Sequence, residues 1–338
     1  MSGIETAACI DVHAHVRLAA TDGAAGVHGP ENGIDEQGRP WYRVGNYKLV
    51  GVKHKNSPFT DPVLRVERMA KAHIDFQVLS ASPLTYFHHI DTPSALSFCR
   101  RYNDGVAALM REYPDKIGGL AALPMQDPAA AKEELQRAVQ DLGLWGAAVG
   151  TEYANYALHA PEFDPLYETF VKLDVPLFLH PAPAGIDGPP GDPALKRFDL
   201  DVVVGFAAQE TIAVSTLVFG GVLDRHRKLD VWISHGGGNV AFMAGRLAWA
   251  AKKRPWATEA SKKDGAFEAA LHRLWFDTHL NDDRALRLLT EVVGEDRLVY
   301  GTNFAGWDQP DDDGHGPTPP VWAENARRLL RQGKYARR

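Results

Sequence analysis

Two histidines one residue apart, His13 and His15, sit in the run Cys9-Ile-Asp-Val-His-Ala-His15. Side chains alternate along an extended strand, so both imidazoles project from one face and can share a metal ion. His180 ends a second apolar run, and His235 ends a third in Ser234-His-Gly-Gly-Gly238. A single histidine at a strand end is usually a hydrogen-bonded rim residue. Four of them, converging on one rim from three strands, make a metal centre the better reading. Imidazole suits Zn²⁺ first, with Mn²⁺ and Fe²⁺ after it, and a catalytic site typically keeps three protein ligands and an open position. Other histidines have plainer readings. His279 ends a further apolar run, where rim packing and a place behind the ligands are equally open. His88 and His89 follow Tyr86 and read as an exposed loop pair that could line a pocket. Glycines 236–238 either bring backbone close to a ligand or make a tight strand-to-helix turn.

Strands must carry these residues to one rim. Short apolar runs bounded by turn residues recur at 8–13, 75–81, 118–124, 146–152, 176–181, 230–236, 274–280 and 298–304. Helix-period segments follow them, as behind buried parallel strands. Four helix starts pair an N-cap residue with proline: Asp61-Pro62, Thr92-Pro93, Asp127-Pro128 and Asp164-Pro165. Eight β-then-α units without a glycine-rich phosphate loop after the first strand predict an α/β fold of the closed (β/α)8 barrel type. Barrel enzymes keep their sites at the C-terminal ends of the strands, where these histidines fall. One domain spanning 1–338 is expected, with a lid-like insertion at 17–60 after the first strand. That segment is polar and glycine-rich, and too long for an ordinary barrel loop. The stretch 308–316 reads as a solvated polar loop.

With 338 residues, 45% hydrophobic and 24% charged, the chain can bury a large core. A net charge of −6 with scattered Lys and Arg offers no basic stripe, which argues against nucleic acid as a partner. The two cysteines, Cys9 and Cys99, are too few for a disulfide framework and fit a reducing compartment. No basic-then-apolar leader opens the sequence, and the apolar stretch 212–223 is broken by Ser215, Thr216 and glycines. The expectation is a cytoplasmic, membrane-free protein acting on a small molecule.

Further segments carry a resemblance. Ala122-Leu-Pro-Met-Gln-Asp-Pro128, Glu210-Thr-Ile-Ala213 leading to Phe219-Gly-Gly-Val222, Ser234-His-Gly-Gly-Gly238 through Gly245-Arg246, Leu288-Leu-Thr-Glu-Val-Val-Gly294 and Tyr300-Gly-Thr302 occur in order. From about Asp61 to Asn303 the chain resembles aminocarboxymuconate semialdehyde decarboxylase and its relatives, the decarboxylase branch of the amidohydrolases. That resemblance implies a divalent metal, zinc first and manganese next, on His13, His15 and His180, with His235 as the acid–base residue beside it. It implies non-oxidative decarboxylation of a carboxylated ring or ring-cleavage product. It also implies a homodimer in which Arg246, with Arg254 a second match, grips a substrate carboxylate in the neighbouring subunit's site, a task suited to the guanidinium fork. A helix-surface salt bridge is the plainer reading of Arg246.

Three positions depart from the pattern. The fourth ligand, an aspartate after Gly-Thr, is Asn303 here, counted with the metal set or just outside it; Asp308 is the nearby carboxylate that could stand in. The aromatic residue after the His-Pro of the fifth strand is Ala182. The substrate-binding arginine ahead of the first barrel helix falls near Asn56, leaving Lys53 and Lys55 close by. Two other readings stay in view: a hydratase or carbon–carbon hydrolase using the same site, and a catalytically silent subunit that binds a carboxylate or partners an active chain.

Overall fold

The computed structural model describes residues 3–51, 56–304, 306, 308, 309 and 318–331. Lys53, Lys55 and most of the stretch 308–316 lie outside the described residues. Strand β1 (Ile10–Val16) is followed by β2 (Glu31–Ile34), β3 (Pro40–Val44) and β4 (Tyr47–Val50), then helix α1 (Pro62–Lys71). Strand and helix then alternate. β5 (Phe76–Ala81) leads to α2 (Thr92–Glu112), β6 (Ile117–Gly119) to α3 (Pro128–Gln140), and β7 (Ala147–Val149) to α4 (Asp164–Leu173). β8 (Leu177–Leu179) leads to α5 (Gly205–Phe219), β9 (Val231–Ile233) to α6 (Val240–Lys253), β10 (Trp275–Asp277) to α7 (Asp283–Val293), and β11 (Leu298–Val299) to α8 (Pro320–Leu330).

Strands β1, β5 and β6 form one parallel arc and β7 to β11 another, in chain order. Bridges Ala121↔Ala147 and Ala14↔Phe304 close both seams. The expected (β/α)8 barrel is therefore the fold, with each of the eight apolar runs supplying a strand. Below the histidines the barrel is plugged: Phe178 stacks on Trp232 with ring centroids 4.2 Å apart, and His13 stands edge-on to Phe178 at 5.5 Å. Both aromatic side chains are fully buried, which stabilises the fold by about 1.5–3 kcal/mol each.

The helix starts hold in two of the four cases. Asp61 accepts from the amides of Val63 and Leu64, and Asp127 from that of Ala130, each ahead of a proline, a cap worth about 1 kcal/mol. Thr92 is not a cap. Asp91, one residue earlier, takes that place by accepting from the Ser94 amide, and Thr92 is already helical. Asp164 is also inside its helix, because its carboxylate is taken by His226 Nε2 at 2.7 Å and Arg225 Nε at 3.1 Å.

The insertion at 17–60, expected as a polar and glycine-rich lid-like segment, contains strands that this reading did not identify. β2, β3 and β4 form an antiparallel sheet, with Gly45-Asn46 turning between the aromatic and β-branched runs of β3 and β4. That pair, flanked by alternating residues, is a hairpin signal. The sheet docks on the loop after β8 through the Asn46 amide, which donates to Ile186 O at 3.1 Å. The Arg17 guanidinium lies over the Tyr42 ring. Among the described residues no single helix is long and apolar enough to cross a membrane.

Candidate functional site

His13, His15 and His180 meet at the C-terminal rim, each at most 3% exposed. A donor atom from each lies within 4.8 Å of the other two. Their tautomers are fixed from behind. His13 Nδ1 lies 2.8 Å from Asp277 Oδ2, an acceptor only, so Nδ1 carries the proton and Nε2 a lone pair. His15 Nδ1 lies 2.9 Å from Ser80 Oγ, whose own hydrogen is directed to Ala14 O. His180 Nδ1 donates to Pro181 O at 2.7 Å, and its Nε2 is buried with no partner among the described residues. Three lone pairs are therefore turned on one point. His13 Nε2 and His15 Nε2 stand 3.3 Å apart, about the edge of a tetrahedron whose metal–nitrogen bonds are about 2.0–2.1 Å. Burial, joined by repulsion among the neighbouring imidazoles, holds all three well below the usual histidine range, so they are neutral and ready to ligate. The donors present fit a divalent metal.

Asp11 anchors this face. Its carboxylate accepts from the His13 and Thr302 amides at 3.1 Å each, from Gln77 Nε2 at 2.9 Å and from Thr302 Oγ1 at 2.7 Å, tying β1 to its neighbours on both sides.

His235 stands beside the three, its ring centroid 5.0 Å from that of His13 and 4.9 Å from that of His180. Its Nδ1 lies 2.7 Å from Glu210 Oε1 on α5, and Ser234 Oγ donates to the same oxygen. Burial pulls the His235 imidazole down, but Glu210, with Asp277 and Asp308 behind it, outweighs burial and lifts it to about 9. His235 has a φ of 44°, and Gly236, Gly237 and Gly238 follow it in the left-handed region, a strained turn of the kind that collects at functional sites. A Cβ on Gly238 would sit 2.2 Å from Ala207 O. The glycines thus serve the tight turn packed on α5.

Asn303, also left-handed at φ 49°, donates from Nδ2 to Asp308 Oδ1 at 2.6 Å. Asp308 groups with His235 and His279, donor atoms within 4.8 Å of one another, and not with the other three histidines. Burial would raise the Asp308 carboxyl, but His279, His235 and the Asn303 amide hold it at about 2. Arg246 and Arg254 are exposed, at α6 and its C-terminal cap, and make no side-chain hydrogen bond or ion pair among the described residues. The surface salt bridge weighed for Arg246 is thus absent there. His88 is not an exposed loop residue: it is buried, and its Nε2 accepts from the Gly150 amide at 2.9 Å. Tyr86, His88, Gly150, Tyr153, Ala182 and Gln209 line a cavity of about 560 Å³, a volume usual for a small-molecule site; none of the four site histidines lines it, and Tyr86 of its wall stands edge-on to His180 with ring centroids 6.5 Å apart.

Asp11, Ser80, Glu210 and Asp277 hold the candidate site's histidines from behind, contacts that the histidine pattern does not reveal. The profile of the amidohydrolase family matches residues 10–331. The chain belongs to the amidohydrolase family. It is 30% identical over 244 residues to the 2-amino-3-carboxymuconate-6-semialdehyde decarboxylase of Dictyostelium discoideum, covering 72% of this chain and 66%, just under two thirds, of that protein. It is 28% identical over 290 residues to the gamma-resorcylate decarboxylase of Rhizobium sp. (strain MTP-10005), covering 79% and 86%. The apo IDCase structure from Metarhizium anisopliae shares the fold, with a TM-score of 0.77, 20% identity and coverage of 97% and 98%.

Proposed function

We propose that this chain is a metal-dependent non-oxidative decarboxylase of a carboxylated aromatic or ring-cleavage product, using one divalent ion on His13, His15 and His180. The observation that carries the reading is the convergence of three back-bonded imidazole lone pairs, with a fourth histidine fixed beside them on Glu210. The decarboxylase relatives support the reaction class. An all-imidazole set favours Zn²⁺, and Mn²⁺ is the alternative ion. The ion supplies a Lewis acid for substrate oxygens. Glu210 holds Nδ1–H of His235 and leaves Nε2 to face the reacting carbon. As the bond to the carboxylate breaks, its electron pair stays on that carbon, CO₂ leaves, and Nε2 delivers the replacing proton. The cavity whose wall includes Tyr86 and Ala182 takes the rest of the substrate. Screening aromatic acids in D₂O tests the reading: CO₂ release with one deuterium at the vacated carbon is expected. A hydrated or split acid without CO₂ would place the chain with hydratases or carbon–carbon hydrolases.

Arg246 serves a second copy of the chain, and the protein is a homodimer. On α6, Phe242 (84% exposed) and Trp249 (63%) flank Arg246 at positions i, i+4 and i+7, one face of the helix. Two large exposed aromatics around an unpaired arginine match the composition of an interface core. Arg246→Ala is expected to lower kcat/KM at least about 10-fold, the scale of losing a charge-assisted carboxylate contact. Mixing Arg246→Ala with His235→Ala should restore about a quarter of wild-type activity, since half the dimers are mixed and each then holds one complete site. No recovery on mixing, with subunit exchange verified, would confine Arg246 to its own chain.

A further inference from the structure

We propose that His235, His279 and Asp308 form a second, weaker divalent-cation site whose occupation switches the enzyme off; this rests on the acid–base role given above to His235. The three residues come from the ends of β9 and β10 and from the segment after β11, and their donor atoms lie within 4.8 Å of one another. Each is held from behind. Glu210 fixes His235 through Nδ1, Asp277 Oδ1 accepts the His279 amide at 3.1 Å, and Asn303 Nδ2 occupies Asp308 Oδ1 and leaves Oδ2 for the site.

The pairing of His279 with Asp308 points to an ion. His279 Nε2 is 3.0 Å from Asp308 Oδ2, an ion-pair contact off the direction of a hydrogen bond, so among the described residues this buried nitrogen has no satisfied hydrogen bond. Two potential ligand atoms side by side at that spacing, one of them a buried nitrogen whose geometry misses a hydrogen bond to the carboxylate that attracts it, are placed as adjacent ligands of a common cation are. Two imidazoles and a carboxylate form a set that Zn²⁺ accepts. The neutral amide at 303 matters here, because it donates to Asp308, which a carboxylate at that position could not do.

The second site is the weaker of the two. His235 and Asp308 are 15% and 18% exposed at their side chains, where the first three histidines are at most 3% exposed, and a cation already on those histidines repels a second one. A cation on His235 Nε2 must displace the proton that this nitrogen carries, so proton delivery stops while the first metal stays bound.

Demetallated protein titrated with Zn²⁺ tests this by calorimetry and by elemental analysis. Two equivalents are expected, one tight and one weaker, with turnover rising through the first and falling at least about 10-fold through the second. Asp308→Asn and His279→Ala should each bind one equivalent and keep their one-equivalent turnover in excess zinc, whereas His15→Ala should lose the tight equivalent. A single equivalent in the wild type would overturn the second site and leave the first intact. Inhibition of Asp308→Asn at the same zinc concentration as the wild type would overturn it as well. Binding of no zinc at all would overturn the metal-dependent reading with it.

Discussion

Replacing His180 with alanine is expected to strip the protein of its tight metal and reduce turnover to background. Its Nε2 is a buried nitrogen with no hydrogen-bond partner among the described residues, which costs about 1–3 kcal/mol unless something else binds it. Removal leaves two imidazoles, fewer protein ligands than a catalytic zinc site keeps. Elemental analysis after dialysis checks this, and His180→Ala retaining a full equivalent would remove the residue from the ligand set. Asp277→Asn is the milder comparison. It leaves the three ligands but frees His13 to flip, and an effect of about 10–100-fold on metal affinity is expected from loss of the orienting carboxylate.

His235→Ala should behave differently, keeping the tight metal at one equivalent and losing at least about 100-fold in turnover, the lower end of what a general acid–base residue contributes. The reason is placement. Its ring lies about 5 Å from those of His13 and His180, but its donor atom groups with His279 and Asp308 and not with theirs. Turnover and metal content measured on the same preparation separate the two roles, and joint loss of both would make His235 a ligand of the first metal.

Much of this architecture is legible in the sequence because its signals are local. Buried parallel strands read as apolar runs, and a period of two puts His13 and His15 on one face. Most ladders are shorter than the runs that announce them: the run at 118–124 overlaps the strand Ile117–Gly119 at only two positions, since apolar composition reports burial and not hydrogen bonding. The missing parts are non-local. Asp277 reaches His13 across 264 positions and Glu210 reaches His235 from a helix, and no spacing rule links such pairs. Asp277-Thr-His279 carries the same one-residue spacing as His13-Ala-His15 and is the signal from which the carboxylate could have been found. The hairpin at 40–50 was equally readable from Gly45-Asn46, but the polarity of the surrounding insertion masks it.

The near-complete burial of His13, His15 and His180 bears on time as well as affinity. With its protein ligands enclosed on that scale, an ion held there is expected to be released when the rim opens and not to be drawn off ligand by ligand. Loss to a chelator should therefore proceed at a rate that levels off as chelator concentration rises, the plateau reporting the opening step of the protein itself. A loss rate that keeps climbing in proportion to chelator would mean that solvent reaches the ion in the closed structure. On this account the protein guards its metal kinetically, through the low frequency of a motion.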